Sequence, residues 1–123
     1  MTDAELTVAY SGKIHESFYR YRVEEYGGVY FEEAYHADGT LDYRAGELTL
    51  TGFWRVANGR ICFEYPATPL NSGCFVVVFE DGCYYSYQTN DSGEPEGLAE
   101  GRWWIRAKIK GTNPDCAAAD LVS

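Results

Sequence analysis

Between residues 48 and 87 apolar and polar positions alternate with a period of two. Leu48, Leu50, Gly52, Trp54 and Val56 fall on one face, and Thr49, Thr51, Phe53 and Arg55 on the other. That period predicts a half-buried strand. Asn58-Gly59 follows at once, and this dipeptide suits a two-residue type I′ turn because both of its positions need φ > 0. Ile61, Phe63 and Tyr65 carry the apolar face onward, Arg60, Cys62 and Glu64 point away, and Pro66 stops the run because it has no N–H for a ladder. A further strand is predicted over 73–80. Asp81-Gly82 makes a second tight turn, and Cys83, Tyr85 and Tyr87 alternate beyond it.

One register satisfies these signals together. If Cys62 faces Cys74, then Phe63 faces Gly73, Glu64 faces Ser72 and Tyr65 faces Asn71, leaving 66–70 as the loop. Directly opposed residues on antiparallel strands share a face and come close enough for a disulfide. The same register sets Phe75, Val77 and Phe79 beside Ile61 and Phe63 on the core face. Val76 and Val78 then fall on the outer face with the disulfide.

The flanks continue the pattern. Thr2 or Asp3 can cap a short helix with Glu5 in its first turn and Gly12 at its end, placed to plug one end of a barrel. Over 13–25, Tyr19, Tyr21 and Val23 alternate with Arg20, Arg22 and Glu24 before the Gly27-Gly28 turn. Strands over 29–36 and 40–45 flank an Asp38-Gly39 turn, and Gly46 leads into the central stretch. Residues 89–98 are polar, with Gly93, Pro95 and Gly97, and read as an exposed loop. A last strand is predicted over 101–109, with Trp103, Ile105, Ala107 and Ile109 opposite Arg102, Trp104, Arg106 and Lys108. The tail over 111–123 has no periodicity; Cys116 would tie it to Cys83 and its end would fray. Eight antiparallel strands and one short helix (within 1–12) predict a single all-β domain, 1–123. Its fold is an up-and-down barrel or a strongly curved sheet.

Composition sharpens this reading. Eleven tyrosines and an aromatic content of 16% favour sheet over a helical bundle. A formal net charge of -9 argues against nucleic acid or an anionic membrane surface, both of which attract positive charge. It admits a basic protein partner or a homodimer, and equally serves solubility. No apolar run approaches the ~18 residues of a membrane helix. Four cysteines fit two disulfides and an oxidising compartment; buried thiols in a cytosolic protein are the competing reading. Export would require a leader removed ahead of Thr2. With no C-x-x-C pair, neither a metal nor a cofactor is expected.

No chemical signature emerges from the remaining residues. His15 and His36 lack a metalloprotease spacing, no serine lies in G-x-S-x-G, and the glycine pairs precede no helix. Glu24-Glu25 and Glu32-Glu33 could stand at a barrel mouth, one of each pair facing solvent. Glu33 shares a face with Val29, Phe31 and Tyr35. If that face is inward, the carboxylate needs a partner, for which Arg20, Arg22 and Arg44 are the candidates. Tyr19, Tyr21, Tyr35, Tyr43, Tyr65, Tyr85 and Tyr87 would either fill the interior or line a cavity for a ligand. Outside, Phe53, Val76, Val78 and Trp104 could form an apolar patch for a partner, unless the N-terminal helix covers it.

Ser11-Gly12-Lys13, Ala37-Asp38-Gly39-Thr40, Gly52-Phe53-Trp54-Arg55-Val56, Ile61-Cys62 and Cys74 together resemble a loose group of small exported bacterial domains of unknown function. More distantly they are similar to lipocalin-like barrels such as the bacterial metalloprotease inhibitors, which combine a G-x-W strand with one disulfide. The resemblance spans about 11–87 and implies a lipocalin-like barrel. It attaches no functional residue to these motifs; Cys83 and Cys116 depart from it, and 1–10 shows no inhibitory segment. The expectation is a non-enzymatic, periplasmic or secreted binding module that meets a basic partner through its outer surface. The alternatives are a carrier of a small hydrophobic ligand, or a barrel cyclase or isomerase, working through a tyrosine-lined interior.

Overall fold

The computed structural model describes residues 1–23, 26–66, 72–90, 92–114 and 116, with the backbone alone at 22 and 23. Alternation along each strand gives β1 (Lys13–Val23), β2 (Gly28–Tyr35), β3 (Thr40–Ala45), β4 (Leu48–Ala57), β5 (Arg60–Glu64), β6 (Gly73–Glu80), β7 (Cys83–Gln88) and β8 (Ile105–Ile109). Each strand pairs antiparallel with the next and β8 pairs back onto β1, closing an up-and-down barrel. Closure leaves no free sheet edge.

The short turns hold the predicted geometry. Asn58 and Gly59 have φ of 54° and 74°, and Asp81 and Gly82 have 54° and 84°, the left-handed values a type I′ turn requires. Cys62 pairs with Cys74 and Phe63 with Gly73, as the disulfide register predicts. The two disulfides are Cys62–Cys74, with Cα atoms 4.0 Å apart, and Cys83–Cys116, with Cα atoms 6.0 Å apart. The expected pairing of Tyr65 with Asn71 and the expected fraying beyond Cys116 lie outside the described residues.

The barrel has two unlike ends. The β2–β3, β4–β5 and β6–β7 turns gather at one end, and α1 (Asp3–Tyr10) plugs it. Thr2 and Glu5 form a capping box: the Thr2 hydroxyl accepts from Glu5 N at 3.2 Å, and Thr2 N donates to the Glu5 carboxylate at 2.8 Å. These bonds satisfy backbone donors left free at a helix start. The helix buries Leu6, Ala9 and Tyr10, and the Tyr10 ring stacks on His15 at 4.3 Å. The opposite end, where β1 meets β2, β3 meets β4, β5 meets β6 and β7 leads to β8, is the mouth. Among the described residues no helix is long and apolar enough to cross a membrane.

Three placements differ from the sequence reading. First, 101–104 is not strand: β8 begins at Ile105. Arg20 captures the segment from outside, donating from its backbone N to Trp104 O at 2.9 Å and from its side chain to the carbonyls of Trp103 (2.8 Å) and Gly101 (2.7 Å). The chain bends there, so Trp103 packs beneath the Arg20 guanidinium at 4.5 Å and beside Tyr85 at 6.0 Å, while Trp104 turns toward the mouth beside Tyr19. Second, Tyr85 and Tyr87 face outward. The Asp81-Gly82 turn pairs Glu80 with Cys83, which sets Tyr84 and Ser86 opposite Phe79 and Val77 and leaves Tyr85 and Tyr87 beside Val78 and Val76. Phe79, expected on the core face, is 52% exposed where β6 runs out beyond the core. Third, Tyr21 is 45% exposed at the mouth, where the β1–β2 register shifts between Phe18 and Val23. The helix does not cover the outer face of β5 and β6; the 89–98 loop reaches back there through the Arg60 guanidinium, which bonds Gly93 O.

Candidate functional site

The inward faces converge on a cavity of about 370 Å³, opening toward the mouth. Its walls are aromatic: Tyr19 of β1, Phe31 of β2, Phe63 of β5, Phe75 of β6 and Trp104 ahead of β8. Tyr19 stacks on Phe31 at 4.3 Å, and Phe31 on Tyr43 at 5.1 Å. Tyr26, Thr89 and Glu96 from the mouth-end connections, Gln88 at the end of β7, and Ser72, Cys74 and Ile105 add to the lining. The space persists partly because Gly73, opposite Phe63 on the inward side of β6, has no side chain: a Cβ there would meet nothing within 4 Å.

Among the described residues Glu33 is the one buried carboxylate on the inner wall, 3% exposed. The hydroxyls of Tyr35, at 2.6 Å, and of Tyr65 both donate to it. Burial raises its pKa above the ordinary carboxyl value, and the two hydroxyl donors oppose that rise. Two donors occupy only part of a carboxylate's roughly four lone-pair sites, so Glu33 keeps acceptor capacity toward the cavity it lines. The arginine partners expected from the sequence are not the ones found. Arg20 is spent on carbonyls outside the barrel, and Arg44 pairs with Glu32 on the outer face at 3.2 Å. The Arg22 side chain and Glu24-Glu25 lie outside the described residues.

Tyr65 reaches Glu33 because of Gly52. A Cβ at Gly52 would stand 2.5 Å from Glu64 O and 2.8 Å from a Tyr65 ring carbon, so the glycine of the G-x-W motif vacates the space the tyrosine uses. The tryptophan of that motif is 9% exposed and donates from Nε1 to His36 O at 2.9 Å, pinning the β2–β3 turn. A second hydroxyl chain lies behind the wall. Tyr43 donates to Tyr26 O at 2.7 Å, so Tyr19, 3.1 Å from the Tyr43 oxygen, donates to Tyr43. Burial pushes Tyr19, Tyr35, Tyr43 and Tyr65 above the ordinary phenol value.

Below Glu33, toward the plugged end, the Tyr35 ring meets His15 edge-on at 5.1 Å. His15 Nε2 donates to Ala9 O at 2.9 Å, and its Nδ1 is buried without a hydrogen-bond partner. Burial lowers the pKa of this imidazole to about 4. Among the described residues no three of His, Cys, Asp and Glu gather to hold a metal ion.

Of the residues expected to line a cavity, Tyr19, Glu33 and Tyr65 do so, and Tyr35 and Tyr43 support them from behind. Tyr21, Tyr85 and Tyr87 stand elsewhere. The expected outer patch is divided: Phe53 is 51% exposed on β4, Val76 and Val78 are half-buried on β6, and Trp104 lines the cavity. Sequence reasoning assigned no role to Phe31, Gly73, Glu96 or Trp104 in a cavity. For Gly73 a signal existed: the disulfide register already sets a glycine opposite an inward Phe63. Compared with protein-family models, curated proteins and solved structures, the chain matches none.

Proposed function

We propose that this protein binds a small organic molecule with an apolar body inside the barrel, as a carrier rather than a catalyst. The observation that carries this reading is the aromatic cavity open at the mouth, with one buried carboxylate among its walls. Its volume of about 370 Å³ lies within the range of small-molecule sites, and Glu33, Ser72, Gln88, Thr89 and Glu96 stand as polar groups among its aromatic walls. The lipocalin-like resemblance fits the same reading, since a small barrel can hold one ligand. Two disulfides are consistent with an oxidising extracellular compartment, which supports an exported carrier.

A cyclase or isomerase would need an acid and a base with pKa values set apart. Within the cavity the shifted groups, Glu33, Tyr19 and Tyr65, all move upward. Glu33 is thus the group that would act as acid or base in such an enzyme, and among the described residues no second group of the cavity is brought below its ordinary value to work with it. Docking of a basic partner on the outer surface draws less support, because Trp104 lines the cavity, leaving Phe53 on β4 and the half-buried Val76 and Val78 on β6, two strands apart on the outer face.

The test fills the cavity. Gly73→Phe places a ring in open space, and Gly73→Ala leaves most of that space. Titration with N-phenyl-1-naphthylamine, which brightens in apolar surroundings, is expected to give saturable binding by the native protein and by Gly73→Ala. In Gly73→Phe the affinity should fall by about tenfold or more, a loss of at least ~1.4 kcal/mol. Equal affinity in all three would place the dye, and the function, elsewhere.

A further inference from the structure

We infer that the cavity selects a cation, an organic amine whose ammonium pairs with Glu33 while its apolar body lies against the aromatic walls. This inference rests on the cavity-binding reading above and names the class of its ligand. Three observations carry it.

First, Glu33 is a buried carboxylate whose protein partners are both neutral hydroxyls. A buried charge is costly unless an opposite charge compensates it, and among the described residues lining the cavity there is no Lys, Arg or His. Second, five basic side chains among the described residues are engaged outside the cavity. Arg20 and Arg60 bond loop carbonyls, Arg44 and Lys110 pair with Glu32, and Lys108 pairs with Glu16. The other carboxylate that touches the cavity, Glu96, adds negative charge toward the mouth, which favours entry of cations over anions. Third, the walls are aromatic. Tyr19, Phe63, Phe75 and Trp104 line the cavity beside Phe31, itself stacked between Tyr19 and Tyr43, and aromatic rings hold an ammonium and its hydrocarbon body alike. Burial holds the Glu33 proton more tightly, and an ammonium ligand would replace that proton as the compensating charge.

The test compares three probes of nearly equal shape: phenethylamine, phenethyl alcohol and 3-phenylpropionate. Each displaces N-phenyl-1-naphthylamine from the native protein at pH 7. The amine should bind about tenfold tighter than the alcohol, and the carboxylate at least about tenfold weaker than the alcohol, the scale of one compensated charge. In Glu33→Gln the preference of amine over alcohol should vanish while alcohol affinity stays within about threefold. If Glu33→Gln fails to fold, by near-ultraviolet circular dichroism, the ranking in the native protein decides alone. Equal or tighter binding of the alcohol or the carboxylate, or an amine preference that survives Glu33→Gln, overturns the inference and leaves the cavity reading standing. Failure of the dye itself to bind overturns both.

Discussion

Glu33 and His15 sit directly opposite one another on β2 and β1, both buried, and burial moves them in opposite directions. His15 falls from 6.5 to about 4, so between those values the unfolded chain binds a proton that the folded protein refuses. Its contribution to stability is complete above about pH 6.5 and is lost as pH falls toward 4, to the extent of on the order of 3 kcal/mol. Glu33 has the reverse sign. Its folded pKa lies above the unfolded value, so its contribution is complete below the ordinary carboxyl range and is lost as pH rises through the folded value. Urea midpoints measured against pH should therefore show an acid-side loss that His15→Phe flattens between pH 6.5 and 4, whatever that substitution costs overall. Glu33→Gln should flatten the decline that sets in as pH rises above the ordinary carboxyl range. Parallel curves for the native protein and His15→Phe would mean that the orphaned Nδ1 does not govern the acid limb.

At the scale of elements, the β4–β5 pair shows how a strand's blank position makes a site. Gly52 lies opposite the inward Leu41 of β3, and the missing side chain admits the Tyr65 ring whose hydroxyl reaches Glu33. Gly52→Ala forces a Cβ to within 2.5 Å of a backbone oxygen, and overpacking of this kind costs about 1–3 kcal/mol. The substitution should lower the melting temperature and weaken dye binding together. Phe53→Ala, one residue along on the exposed face, should change stability by less than about 0.5 kcal/mol and leave dye binding alone. If Gly52→Ala matches Phe53→Ala in both measurements, the tyrosine does not depend on that gap. The β6–β7 hairpin carries a related lesson. A two-residue Asp81-Gly82 turn obliges Glu80 to face Cys83, so the outward placement of Tyr85 and Tyr87 was already contained in the turn length once Phe75 and Val77 were inward. Counting tyrosines as cavity residues by their alternation alone overlooked that parity.

For the whole molecule the two disulfides act on different spans. Cys62–Cys74 closes a sequence separation of 12 within one hairpin, and Cys83–Cys116 closes one of 33, tying the tail to the plugged end. Loop-closure entropy gives about 3 kcal/mol for the shorter and about 4 kcal/mol for the longer. Cys83→Ala with Cys116→Ala should therefore lower the urea midpoint more than Cys62→Ala with Cys74→Ala. The opposite order would show that the hairpin bond constrains more than its own loop. Unfolding without reductant should expose no free thiol, since all four cysteines are bonded.

The sequence by itself determined the strands, their order and much of their register. Period-two alternation, two φ > 0 turn dipeptides and the Cys62–Cys74 pairing are local or pairwise constraints, and each is readable from a few residues. The capping box of α1 is legible for the same reason. Whether the barrel is solid or hollow is a different kind of quantity, a sum of side-chain volumes from eight strands, and no pairwise pattern contains it. Neither does any local pattern reveal that Glu33 is answered by Tyr65, 32 residues away, rather than by an arginine. The two adjacent tryptophans make the same point. Trp103 faces out and Trp104 faces in because Arg20, on a distant strand, holds the carbonyls of their bend. Only closure of the barrel brought those groups together, and with them the cavity.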